Sequence, residues 1–389
     1  MQIKLPQADG SLKAYVLANA APPFAEVRPA RWNRTAYAAA HVVVDPRQGG
    51  DPWDGPPSVD WEATLRFREH LWGLGFNIAE AMDTAQRGMG VDWPTALELI
   101  RRSVAHARTI PGADLACGVG TDQLVPDVRT TIADVMHAYE EQIEAVEAAG
   151  GRIILMASRA LAAVAKSPED YQRVYGDLLR QCKGKVVLHW LGEMFDPELK
   201  AYWGTTVIAE AMDTVLDIIR AHAPRIEGIK ISLLDARWEI EMRRRLPPGV
   251  LMFTGDDFNY DTLIAGDGTR HSHALLGIFD PIAPVAAAAL ARLAAGDAEG
   301  YRQTIAPTIP LSREIFRAPT RHYKAGVIFL AWLNGHQHHF VAAGGLQSAR
   351  SVPHYARIFE LADRSGVLTD PGLAAARMRA FLQVHAGIA

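Results

Sequence analysis

The sequence predicts an α/β fold, a (β/α)8 TIM barrel with an N-terminal arm and a C-terminal helical extension. Two observations predict it. Short apolar runs of strand length alternate with longer segments of helical spacing, and eight such runs follow one another along the chain. Strand–helix alternation implies parallel strands joined by helical crossovers, and eight strands suit a closed barrel better than an open sheet.

Residues 1–35, rich in Pro and Ala and without a clear period, are expected to be an N-terminal arm. The expected barrel spans residues 36–297. Its strands are His41–Val44, Asn77–Ala81, Asp114–Cys117, Arg152–Met156, Lys185–His189, Gly228–Ile231, Val250–Phe253 and Ala274–Phe279. Between them, Trp61–Trp72, Thr95–Ala107, Thr131–Ala148, Pro168–Gln181, Thr205–Ala221 and Arg237–Arg245 carry apolar residues at steps of three and four. Ile132, Val135, Met136, Tyr139, Ile143 and Val146 form one such face. Asp261–His273, rich in Gly, Asp and His, reads as a loop insertion, and Ala283–Ala295 as a buried helix. Residues 298–389 read as the helical extension, with helices at Glu299–Ile305, His322–Leu333, Pro353–Asp363 and Ala374–His385.

The bulk composition of the 389 residues narrows the function classes. Hydrophobic residues make up 49% and charged residues 22%, enough to bury a large core without staples. A formal net charge of −4 offers no basic excess, so no nucleic-acid partner is expected. Cys117 and Cys182 form no CxxC pair and read as buried thiols. No apolar run reaches membrane-spanning length, and Met1–Pro6 lacks a signal peptide's apolar core. The expectation is a cytoplasmic protein with no membrane partner.

In a barrel of this kind the active groups sit at the C-terminal ends of the strands. The polar residues falling there are Asp45, Asp83, Thr84, Gly118 to Asp122, Ser158, Arg159, His189, Glu193, Lys230, Ser232, Gly255 to Asp257, and Asp280. Lys230 lies in the apolar run Ile226–Ser232. Burial of a lysine favours the neutral amine that Schiff-base formation needs. The plainer reading is a strand-end lysine paired with Asp235 or Glu227. His189 follows an apolar run with Glu193 four residues on, and imidazole suits proton transfer at neutral pH. Its plainer reading is a core histidine bonded to a carbonyl. Asp83 is either a site residue or a helix cap. Arg159 is either a clamp for an anion or a partner for an acidic neighbour.

The tracts Arg270–His273 and Gly335–His339 hold adjacent histidines, whose spacing does not suit one shared tetrahedral site. Gly118-Val119-Gly120 lacks the third glycine of a dinucleotide fingerprint. Arg243-Arg244-Arg245 reads as the solvated end of a helix.

Four motifs in order carry a family resemblance. Gly228-Ile229-Lys230 followed by Asp235 is similar to the GIK(x)4D strand of the dihydrodipicolinate synthase / N-acetylneuraminate lyase superfamily, the Schiff-base (class I) aldolases. Thr254-Gly255-Asp256-Asp257 resembles its turn after the seventh strand, Ala116–Thr121 its AGxG(S/T) turn after the third, and Gly277–Pro284 the segment of its eighth. The chain resembles a divergent branch with a long C-terminal extension. The resemblance implies that Lys230 is the imine-forming residue and that no cofactor is needed.

There are departures. The family's GTTGE turn, which holds a substrate carboxylate, is matched by Met82-Asp83-Thr84-Ala85-Gln86. An ionised Asp83 repels a carboxylate and accepts hydrogen bonds from hydroxyls. The tyrosine pair after the fourth strand is replaced by Ala157-Ser158-Arg159-Ala160, and the fifth-strand tyrosine by His189. The family's hydroxyl relay is therefore missing from these positions.

The expected function is a Schiff-base lyase or aldolase acting on a keto- or polyhydroxy-carbonyl small molecule, sugar-derived rather than pyruvate. It proceeds by retro-aldol cleavage, condensation or dehydration. Lys230 forms the iminium and His189 moves the proton. Asp83, Thr84, Gly118, Ser158, Arg159, Glu193, Gly255, Asp256 and Asp257 bind substrate. Two alternatives stay open: a divalent-metal barrel isomerase or lyase using His189, Glu193 and a histidine from the late loops, and a non-catalytic binding barrel. Borohydride trapping separates the first reading from both. The extension, rich in Leu, Ile, Phe and Trp, and the family's habit imply a homodimer or homotetramer.

Overall fold

A computed structural model of the chain describes residues 1–18, 32–48, 51 and 55–388. The described residues group into two compact units. One holds residues 1–33, 41–76 and 278–389, and the other holds residues 34–40 and 77–277.

The second unit contains a complete barrel. Its strands are β3 (Ala36–Ala39), β4 (Asn77–Glu80), β5 (Leu115–Val119), β6 (Arg152–Leu155), β7 (Val186–Leu191), β8 (Ile226–Ser232), β9 (Leu251–Thr254) and β10 (His273–Leu276), after a hairpin of β1 (Gln2–Pro6) and β2 (Leu12–Val16) in the first unit. The eight barrel strands are parallel and close in the order β10-β3-β4-β5-β6-β7-β8-β9. The fold is a (β/α)8 TIM barrel.

Period-two alternation decides what fills it. Tyr37, Ala39, Ala79, Ala116, Ile154, Val187, Phe253 and Leu275 form one buried cluster inside the barrel. The intervening residues, such as Ile229 and Ile231, are buried on the opposite face, as parallel strands covered on both sides require. At the N-terminal ends of the strands Arg152 ties three of them together. It donates to the Tyr37 hydroxyl (2.7 Å), Asp114 (2.5 Å) and Glu227 (2.6 Å).

The first barrel strand is not where the valine run suggests. His41–Val44 is buried, but the ladder is carried by Ala36–Ala39, paired with β4 from Tyr37↔Asn77 and with β10 from Ala274↔Ala36. Alanine is a poor strand former on its own. The pairing of both neighbours overrides that preference, and Val44 instead makes an isolated antiparallel bridge with Val59. The segment after β9 also differs from a plain loop, because Tyr260–Ala265 is helical.

Helix starts follow local chemistry. Asp60, Asp92 and Asp235 each accept a backbone N–H as N-caps. Thr131 and Asp134 form a reciprocal capping box ahead of the helix Ile132–Ala149, which buries Val135, Tyr139, Ile143 and Val146.

In the first unit the opening residues pair as an antiparallel hairpin. Tyr15 donates to Asp363 (2.6 Å), as does the Ala18 amide (2.6 Å), fastening the hairpin to the helix Val352–Arg364. The extension contains Ala298–Ile305, Ile309–Ile315, Tyr323–Leu333, Val352–Arg364 and Pro371–Ala386. Asp280 accepts from both the amide (2.7 Å) and Nδ1 (2.8 Å) of His41, and the pair is sealed from solvent. His336 packs against Phe67 and His70. Among the described residues no three His, Cys, Asp or Glu side chains form a metal-ligand group, and no helix is long and apolar enough to cross a membrane.

Candidate active site

Lys230 is an interior residue of β8. Gly228, Lys230 and Ser232 share the face of Val187 and Phe253. The parallel register sets Lys230 beside His189 on β7 and Phe253 on β9. Two glycines make room for it. A Cβ on Gly228 would lie 2.5 Å from the Leu251 carbonyl and 2.7 Å from the Phe253 ring, so only glycine lets that ring close in. A Cβ on Gly255 would lie 2.7 Å from the lysine's own Cε, 2.7 Å from the Ile231 carbonyl, and closer still to the Ser232 hydroxyl. The Gly255 amide donates to that carbonyl (2.9 Å), which holds the turn against β8.

Neither acidic partner suggested by sequence reaches the lysine. Asp235 caps the helix Ala236–Arg245 and pairs with Arg237 (2.7 Å), while Glu227 pairs with Arg152. Lys230 donates no hydrogen bond among the described residues and is buried, with 7% of its surface exposed. Burial holds its pKa below the ordinary lysine range, opposed by the negative charges of Asp83 and then Asp257. His189 is pushed well below its usual value, first by burial and then by the charge of Lys230. It is therefore neutral at pH 7. Its Nε2 lies 3.4 Å from the Ser232 hydroxyl.

The remaining sequence candidates fall into two groups. In the first, Asp83 and Thr84 stand in the turn Asp83–Ala85 just beyond β4, and the Asp83 charge acts on the lysine. Asp83 caps no neighbouring helix, because Asp92 caps the next one. Its carboxylate has no hydrogen bond or ion pair among the described residues. Thr84 is buried. The negative charge of Asp257 acts on Lys230, whereas Asp256 shapes the turn by accepting from the Phe258 and Asn259 amides (2.9 and 3.1 Å). Burial raises the Asp256 pKa, against those hydrogen bonds. Gly118 lies on β5, where a Cβ would meet the Ala81 carbonyl at 2.8 Å and the Met156 sulfur at 2.9 Å.

The second group is committed elsewhere. Ser158 caps the helix Arg159–Val164 and shares a hydrogen bond with Thr121 (2.6 Å). Arg159 is half exposed and paired with Asp196 (2.6 Å). Glu193 is exposed and lines a cavity of about 190 Å3 whose walls include neither Lys230 nor His189.

Sequence reasoning missed a hydroxyl chain beside this group. The Ser158 amide donates to the Tyr202 hydroxyl (3.1 Å), and that hydroxyl bonds the Tyr175 hydroxyl (2.8 Å). The Tyr139 hydroxyl donates to the Met156 carbonyl (2.6 Å). Burial keeps Tyr175 and Tyr202 protonated. These tyrosines come from two helices and a distant loop, so no local motif announces them.

The site is a buried lysine inside a TIM barrel with a neutral histidine beside it on the neighbouring strand. The chain belongs to the family described as "Protein of unknown function (DUF993)", whose model matches residues 3–388. No curated protein matches it. Solved structures share its fold. The dihydrodipicolinate synthase from Aquifex aeolicus is 11% identical, with a TM-score of 0.64 over 86% of this chain and 99% of that one. The enzyme from Thermotoga maritima is 14% identical, with a TM-score of 0.62 over 86% and 99%. A putative dihydrodipicolinate synthetase from Pseudomonas aeruginosa is 13% identical, with a TM-score of 0.60 over 83% and 99%.

Proposed function

We propose that this protein is a Schiff-base-forming lyase of the aldolase type, acting on a polyhydroxylated or keto-carbonyl small molecule. The observation that carries the reading is Lys230: an unbonded amine inside the barrel, with a pKa lowered by burial and a neutral imidazole on the adjoining strand. The neutral amine attacks the substrate carbonyl, and loss of water leaves an iminium. His189 takes the proton from a β-hydroxyl, the carbon–carbon bond breaks, and its electron pair enters the iminium to give an enamine. The imidazolium returns the proton to carbon, and water hydrolyses the new iminium to free the amine. Asp83 and Asp257 accept hydrogen bonds from substrate hydroxyls and face the cation as it forms. The test is incubation with candidate polyhydroxy ketones and aldehydes under sodium borohydride. A reduced adduct mapped to Lys230 supports the reading. Turnover without any adduct, or an adduct at Lys185 or Lys324, defeats it.

Two expectations accompany it. Pyruvate should be turned over poorly with any aldehyde, because Asp83 stands where its carboxylate would lie. Asp83→Thr should lower the KM for pyruvate by about 10-fold, the worth of one removed charge repulsion of roughly 1.4 kcal/mol. Efficient pyruvate condensation by the unaltered protein contradicts this assignment of Asp83. The protein is also expected to be a homodimer or homotetramer that uses part of the extension. A monomer mass by light scattering at micromolar concentration ends that idea.

A further inference from the structure

The turn that carries Asp83 is bent in an uncommon way. Ala81 and Gln86, on either side of it, both have left-handed backbone conformations (φ 52° and 63°) without being glycine. Each costs about 1–2 kcal/mol relative to right-handed backbone and persists only where surrounding contacts dictate it. Arg87, whose side chain is 3% exposed, supplies contacts of this kind at the Ala81 end. Its Nη1 donates to the Gly118 carbonyl on β5 (2.5 Å) and to the Ala81 carbonyl (3.4 Å). Nε and Nη2 grip both oxygens of Asp122 (3.0 and 2.7 Å), and Nη2 also meets Gln142. Gln142 in turn accepts from the Gly120 amide (2.7 Å) and donates to Asp122 (3.0 Å). The guanidinium lies over the Trp93 ring at 4.9 Å. One buried side chain thus closes the segment from Ala81 to Arg87 on itself and fastens it to the end of β5.

We propose that Arg87 is a positioning residue of the lysine site: its fork of hydrogen bonds holds the Asp83 turn against β5 so that the Asp83 carboxylate faces Lys230. Arg87 touches neither substrate nor Lys230 in this role. The inference rests on the reading of Lys230 as the reactive amine, and its test needs no substrate. The charged and titratable groups facing Lys230 are His189 on β7, Asp257 on the turn after β9, and Asp83. Two effects of removing Arg87 have opposite signs. Loss of a nearby positive charge would raise the lysine's pKa, whereas loss of a correctly placed Asp83 lowers it.

The experiment is reductive methylation of the whole protein with formaldehyde and cyanoborohydride across a pH series, with the rate at Lys230 followed by peptide mass mapping. Arg87→Gln should lower the midpoint of the Lys230 profile by about one pH unit, the size of one lost carboxylate neighbour. Asp83→Asn should lower it equally, and the double variant should go no lower than Asp83→Asn alone. An unchanged or raised midpoint in Arg87→Gln overturns the proposal, as do additive shifts in the double variant. Should Arg87→Gln fail to fold by circular dichroism, Arg87→Lys replaces it. That variant keeps the charge but loses the planar fork, and the same downward shift is expected. If Lys230 traps no substrate imine yet the Arg87 shift appears, the functional reading fails and the positioning role stands.

Discussion

Lys230→Ala is expected to lower turnover by about 10^4-fold or more, the order seen when a covalent nucleophile is removed. The borohydride adduct should vanish with it. The barrel should survive, because the amine makes no hydrogen bond among the described residues and the truncation leaves only a modest void beside Phe253. Lys230→Arg should be equally inactive, since a guanidinium stays charged and does not add to a carbonyl here. The measurements are steady-state rates, peptide mapping after reduction, and circular dichroism. Full activity in Lys230→Ala would sink the imine mechanism.

Gly255→Ala is expected to have the next largest effect. Its added methyl must occupy space now held by the Lys230 stem, the Ser232 hydroxyl and the Ile231 carbonyl. The side chains can swing away, but the carbonyl belongs to β8 and accepts the Gly255 amide, so the turn itself must move. Overpacking of this kind costs about 1–3 kcal/mol of stability. Displacement of the nucleophile by about 1 Å should lower kcat and the trapping rate by roughly 100-fold, because near-attack geometry is lost. Thermal denaturation and single-turnover trapping check the two parts separately. Trapping at the unaltered rate would show that the lysine does not depend on this glycine.

The candidate site was legible in the chain to different depths. Lys230 and His189 could be read because each stands in or beside an apolar strand run, and strand alternation turns position into direction. Gly228 and Gly255 could be read as motif glycines, but their purpose lies in the Phe253 ring and the Lys230 stem, which only the strand register brings to them. Ser158 and Arg159 look like ligands in sequence. The fold commits them to Thr121 and Asp196, partners from separate loops.

The amino-acid sequence by itself determined the alternation of strands and helices and singled out Lys230 and His189 on strand runs. These follow from periods of two and 3.6 residues. Tertiary structure alone decided that Ala36–Ala39 opens the barrel in place of the valine run, because pairing with two flanking strands outweighs alanine's weak preference. It also decided that Arg87 serves the Asp83 turn, and that Tyr139, Tyr175 and Tyr202 gather near Ser158. Their hydrogen bonds join residues far apart in the chain. Such contacts form only after the barrel has closed, so no local pattern of residue types encodes them.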